Sequence, residues 1–522
     1  MFVDSVDSDI APSGTLLGLL QRGRGDGTLH ALAAPRAEAL AALRHCVLHD
    51  PRRDWQIEHR SLYYARLHRE LDAGLDDIAA HLFDPEDLLC TPEEAEVRTG
   101  LALSVLGHLA SYASSWGEDG AKAESGAGAE ADAPAEAGAL RQAEEAGEAG
   151  DDNAALRLLR RYATFGTNWQ WALDELAVRD DDAGLRPLGP AILARFPQTP
   201  EGDAELAAAA RGAFEPRPWR LWAEDPDHPE QADRLRRVQE SGFFDRWQRQ
   251  LRSPGPRPGW SVQEILDWAQ DGYEQHPPQH RVAPAARCLS AVAGAEERPQ
   301  LLAAARGPRE AARAAVLRHL ADRNDPDVLD LIEEAAGHPD ETVSSSALSA
   351  FARMRSLAAL ERARRWAEAP EDALAPGLPT VAAEMLACRG GARDADAVLA
   401  ALRRTVRLEG PDSPALWPLV DGAGRLTIGC ATPILRHIYR ETASSQLRLR
   451  TARSLAATDP SFPAGFAIEC LWDCEEATRE VAAGHAATGD ARVVERLRRL
   501  AADPAEEAGV QDAVRDRLRP RR

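Results

Sequence analysis

The stretch DPDVLDLIEEAAGHPDETVSSSALSAFARM, residues 325–354, decides the fold. Two turn signals, Asp325-Pro326 and His338-Pro339, each stand ahead of a run with helical patterning. Proline fits the first turn of a helix, where its missing N–H is not needed, and a neighbouring aspartate can cap the orphan donors. In the second run Val343, Ala347, Leu348 and Phe351 fall on one face at helical spacing. The stretch reads as an antiparallel helical hairpin with one apolar side.

The same grammar recurs on both sides of it. Asp50-Pro51, Asp84-Pro85, Asp459-Pro460 and Asp503-Pro504 mark further turns. Val97, Leu101, Val105, Leu106 and Leu109 form one apolar stripe, and Val493, Val494, Leu497 and Leu500 another. SQLRLRTARSLAATDP, CEEATREVAAGHAATGD and DPAEEAGVQDAVRDRL begin about 30 residues apart, a solenoid period. No alternating strand followed by a hairpin dipeptide is present. The expected fold is all-α, an α-α superhelix of antiparallel hairpins.

The segments 91–110 (TPEEAEVRTGLALSVLGHLA), 325–354 and 489–518 (GDARVVERLRRLAADPAEEAGVQDAVRDRL) resemble the HEAT-repeat superfamily, an armadillo-type α-solenoid, especially the bacterial type also seen in phycobilisome lyases. The resemblance implies a bacterial protein whose turn aspartates and helix arginines link neighbouring repeats. Asp50 with Arg60, and Arg98 and Arg479, then form a structural ladder. Ser344 follows Val343 where that family often has arginine, and 411–432 departs from the pattern.

Composition narrows the function. A chain of 522 residues exceeds one core, so several domains or a repeat array are expected. The net charge of −22 disfavours a general binder of nucleic acid or anionic membrane, because phosphate must be met by a basic surface. Lys122 is the sole lysine, and the low aromatic share of 5% favours helices over sheets. Seven scattered cysteines with no C-x-x-C pair argue against a disulfide scaffold or a zinc ribbon. The acidic start MFVDSVDSDIAPSG lacks signal-peptide character, and no run reaches the ~18 apolar residues of a membrane span. A cytoplasmic protein is expected.

Along the chain, residues 1–116 read as an N-terminal helical array. Residues 117–153 hold eleven acids against Lys122 and Arg141, a net of −9, and read as a disordered acidic linker or inserted loop. Helical patterning continues over 154–210. Residues 211–280 carry five of the twelve tryptophans among prolines and arginines, an irregular joint. Residues 281–522 form a C-terminal repeat array.

Three functions compete. His45 and His49 sit one helical turn apart, with Asp50 beside them and further polar residues to 59, so a metal-dependent enzyme would use 45–59. The same residues form one hairpin around Asp50-Pro51, with no H-E-x-x-H, and this structural reading is preferred. The tract 211–260, with ten arginines against eight acids, could grip nucleic acid by Arg–aromatic interleaving. Neither a phosphate loop nor a G-x-S-x-G elbow occurs, so no catalytic residue and no cofactor is assigned. The expectation is a non-catalytic scaffold whose concave face binds a protein or peptide with a basic segment. Its anchors would be Arg217, Trp219, Arg220, Trp222, Arg246, Trp247 and Arg249.

Overall fold

A computed structural model describes residues 10–50, 60–85, 89–123, 153–241, 259–273, 281–370 and 373–519, of which 113–123 and 240–241 are described by backbone alone. Among the described residues every regular element is helical and there is no strand. Contacts divide the chain into two compact units: Met1–Leu251 with Ala443–Leu449 and Ser461–Arg522, and Arg252–Thr442 with Arg450–Pro460.

In the second unit, the helices Val282–Val292, Glu310–Asp322, Glu341–Arg353, Leu378–Arg389 and Leu416–Arg425 each pack against the next, forming a row. The intervening helices Val328–Ala336, Leu357–Glu368 and Ala395–Glu409 pack against members of that row. This is a stack of hairpins, and alanine makes it close. Ala311, Ala312, Ala314, Ala315 and Ala321 are all buried on Glu310–Asp322, which has neighbours on most of its sides. Val343, Ala347 and Phe351 point inward as their spacing predicts. Residues 411–432, which depart from the repeat pattern, still supply the helix Leu416–Arg425, with Leu416, Leu419, Val420 and Ala423 buried.

Arginine–carboxylate pairs tie successive turns. Arg298 binds Asp325 at 2.6 and 2.9 Å, Arg364 binds Asp394 at 2.8 and 2.9 Å, and Arg436 binds Asp459 at 3.0 and 2.5 Å. The Arg298 bonds hold the Asp325 carboxyl below its usual range, and the Arg364 bonds do the same for Asp394. Asp325 also accepts the Asp327 N–H at 3.0 Å, so one side chain both shapes the turn and receives the arginine.

The first unit draws its helices from both ends of the chain. Arg60–Glu70 and Pro92–Ala123 pack together, and Ala154–Phe165 and Trp169–Arg179 pack on the latter. The helix Pro92–Ala123 carries helical backbone into the acidic segment, whose residues 124–152 lie outside the described ones. Leu101, Val105 and Leu106 are buried as expected, whereas Val97 is 57% exposed. Arg160 grips Asp180 by two bonds of 2.7 Å.

The later hairpins dock onto the first helices of the same unit. Cys474 N–H donates to the Gly23 carbonyl at 2.9 Å. Gly23 has φ +66°, and a Cβ there would lie 2.4 Å from the Cys474 sulfur. A Cβ on Gly25 would lie 1.8 Å from the Glu469 carbonyl oxygen. Only glycine permits that approach. Beneath it, Arg448 pairs with Asp473, both side chains fully buried, at 3.0 and 3.3 Å.

Arg448→Met leaves the Asp473 carboxylate buried beside an apolar chain. A loss of about 3–5 kcal/mol in urea unfolding is expected, and Arg448→Met/Asp473→Leu should recover part of it. Equal losses in the single and double variants would contradict this account.

Candidate functional site

The ladder residues sit in packing roles. Arg60 is fully buried and pairs with Asp50, whose side chain is 3% exposed. Arg98 donates to the His81 carbonyl at 2.6 Å while His81 Nε2 meets the Arg98 carbonyl at 3.0 Å, an exchange between two segments. Arg479 binds Glu506 at 2.9 and 2.7 Å and donates to the carbonyls of Asp473 and Cys474. Burial alone would push the Glu506 carboxyl up, but the charges of Arg479 and Arg66 pull it below its usual range.

Around His45 the rings of His45 and His49 stand 6.0 Å apart, and His81 meets His49 edge-on at 5.6 Å. Asp50 is engaged by Arg60. Among the described residues no group of three or more histidine, cysteine, aspartate or glutamate side chains is arranged to hold a metal ion, and 51–59 lie outside them.

In the Trp/Arg tract, Trp219 and Trp222 are 2% and 1% exposed. Their rings pack edge-on at 5.2 Å, and the Trp222 indole N–H donates to the Leu185 carbonyl at 3.0 Å. These indoles fill the core of the first unit, so neither presents a free face to a partner. The rings bury large apolar area, and that burial is the role of these two tryptophans. Arg217 is tied to Asp182 at 2.6 Å and to the carbonyls of Ala177 and Asp180. Arg220 is exposed, 3.8 Å from Glu215. Arg246, Trp247 and Arg249 lie outside the described residues.

The aromatic core opens instead onto an acidic groove of about 550 Å³. Its walls come from the first turns of Pro92–Ala123, from Trp169–Arg179 and from the helix Pro200–Gly212. Glu93, Glu96, Asp174 and Glu205 line it, and no lysine or arginine does among the described residues. Trp169 and Phe196 form an aromatic wall, their rings edge-on at 5.9 Å. Burial raises the Asp174 carboxyl above its usual range, although backbone N–H groups of Glu215 and Phe214 partly offset this. Phe214, beside Asp174, is 84% exposed. Carboxylates over an aromatic wall can take a cationic side chain, which gains both charge pairing and a ring face.

The sequence signal for this groove was present in TPEEAE, whose acids precede the stripe. Its other acids lie about 80 and 110 positions further along, and only helix packing joins them. Comparison of the chain with protein-family models, with curated proteins and with solved structures finds no match.

Burial lowers the imidazole of His81, and the adjacent Arg98 charge adds to this; burial likewise lowers His68 and His319. These rings are neutral in the fold and take up protons more readily once unfolded. Their contribution is therefore complete above pH ~6.5 and is lost as pH falls below it. Thermal melts from pH 7.5 to 5 should show falling Tm, with a shallower slope for His81→Asn. An identical slope in that variant would remove His81 from the explanation.

Proposed function

We propose that this chain is a non-catalytic binding scaffold of HEAT-like hairpins, and that the acidic groove of its first unit receives an arginine- or lysine-bearing peptide segment of a protein partner. The observation that carries the reading is a cavity lined by four carboxylates and three aromatic rings, with no lysine or arginine among its described lining residues. Carboxylates lining one cavity repel one another, and a cationic side chain relieves that repulsion while its methylene stem packs on the aromatic wall. Exposed Val97 and Phe214, next to Glu96 and Asp174, offer apolar contact to the rest of the segment. No helix of the described residues is long and apolar enough to cross a membrane.

HEAT membership and a bacterial source belong to the same proposal. HEAT membership is supported by the paired helices stacked in a row and by the arginine-to-turn pairs that the resemblance implies. The Trp/Arg tract supports nucleic-acid binding less well, because Trp219 and Trp222 are spent in the core.

A labelled Arg-rich peptide should bind the full chain in fluorescence anisotropy, more weakly as salt rises. Asp174→Asn/Glu205→Gln should weaken it by about tenfold, ~1.4 kcal/mol. Unchanged affinity in that variant, or no binding at low salt, would sink the groove as the docking site.

A further inference from the structure

A second cleft, on the opposite side of the charge balance, lies where the later hairpins meet the first helices of the same unit. It measures about 400 Å³. The helix Arg60–Glu70 contributes Arg66 and Arg69, and the helix Ala491–Ala502 contributes Arg496 and Arg499. Each pair is spaced i,i+3, so each helix turns two guanidinium groups into the same space. Glu70 and Asp503 are the acids lining it, so four positive charges face two negative ones in a chain whose net charge is −22.

The acids are already committed. Asp503 accepts from Arg66 at 2.8 Å and from the Tyr112 hydroxyl at 3.2 Å. Glu506, behind the wall, is shared between Arg66 at 3.0 Å and the Arg479 fork. Arg499 lies 3.6 Å from Glu70 and 3.3 Å from Glu495. Among the described residues Arg69 and Arg496 form no ion pair with a carboxylate. Arg69 lies over the Tyr112 ring at 4.2 Å, and Arg496 over Trp472 at 3.7 Å. Arg496 is fixed by Nε and Nη2, which donate to the Leu471 carbonyl at 3.2 and 3.0 Å, while Nη1 has no hydrogen-bond partner among the described residues. Burial, then repulsion from Arg66 and Arg479, brings the Arg496 guanidinium down to about 9. It remains a cation at neutral pH, held in place with its charge only partly offset by Glu506 and Asp503.

We infer that this cleft binds the phosphate group of a small organic phosphate, with Arg496 and Arg69 as its principal ligands and Arg499 at its mouth. Guanidinium forks pair bidentately with phosphate oxygens, and their stacking on Trp472 and Tyr112 orients them before the anion arrives. The volume is within the roughly 300–1,000 Å³ of small-molecule sites, and Leu67, Ala502 and Pro504 offer an apolar wall for the organic part. A dianion would balance the surplus of two positive charges.

The test is a titration of the full chain with inorganic pyrophosphate and, separately, with a nucleoside diphosphate. Binding would be read by calorimetry and by Tm, against sodium chloride at matched ionic strength. Saturable binding that raises Tm is expected, with the nucleoside diphosphate tighter if the apolar wall is used. Arg69→Gln, an exposed change, should weaken pyrophosphate at least tenfold. Arg496→Met should abolish the Tm shift. If Arg496→Met does not fold, Arg69→Gln carries the test alone. A Tm shift reproduced by chloride, or pyrophosphate affinity unchanged in Arg69→Gln, overturns the assignment. This site is independent of the acidic groove, whose variants should leave pyrophosphate binding intact.

Discussion

An arginine of one hairpin reaching a carboxylate at the next turn is the contact on which the stacking depends. Arg160–Asp180, Arg298–Asp325, Arg364–Asp394, Arg436–Asp459, Arg448–Asp473 and Arg479–Glu506 repeat it in both units. In each the acid is nearly or fully buried, while the arginines range from fully buried to partly exposed. The cost of desolvating the two ions offsets most of their attraction, so such a pair adds little net stability. Its value is in register. A planar fork and a carboxylate make two parallel bonds in only a narrow range of positions. The acids at 325, 473 and 506 are also held by backbone N–H groups of their own turns, which fixes the offset between neighbouring hairpins.

The same device joins the two chain-distant parts of the first unit. Glu506 receives Arg479 from its own array and Arg66 from the early helix Arg60–Glu70, while Gly23 and Gly25 let the backbones come together. Burial lowers the Arg66 guanidinium, but Glu506 and Asp503 more than reverse that. An acidic residue with two guanidinium partners is what a junction between arrays requires, since each array brings its own arginine.

Much of the helical architecture was legible in the sequence, because a stripe such as Val343, Ala347 and Phe351 is a local pattern read within four turns. The turn aspartates at 325, 459 and 503 were legible for the same reason. Their arginine partners were not, since Arg298, Arg436 and Arg66 sit 23 to 437 positions away and resemble any other solvated arginine. Val97 shows the limit within a helix. It continues the stripe in sequence but lies on the solvent side, although Ala95 and Thr99 on either side of it are fully buried. Tryptophan density at 211–280 was visible, yet composition cannot distinguish a surface anchor from a core filler, and Trp222 is the latter. The acids of the groove were overlooked because they lie on three separate helices.

Net charge, the most accessible property of the chain, is therefore also the least local. Of the −22, nine units lie in 117–153, leaving −13 for the remainder. Within the first unit that remainder separates into a cleft with four carboxylates and no described base, and another with four arginines and two committed acids. The separation follows from the ladder. Most buried acids are absorbed by arginines from a neighbouring hairpin, so charges not used in stacking remain wherever helix ends or faces meet without a reciprocal partner. Glu93 occupies the first turn of its helix, where the dipole favours acids whether or not a base is near. Arg496 and Arg69 have aromatic rings in place of carboxylates, which tolerate a cation without neutralising it. A stacking rule that pairs charges locally thus leaves two sites with a surplus of opposite sign, and each is defined by the kind of ligand that would offset its surplus.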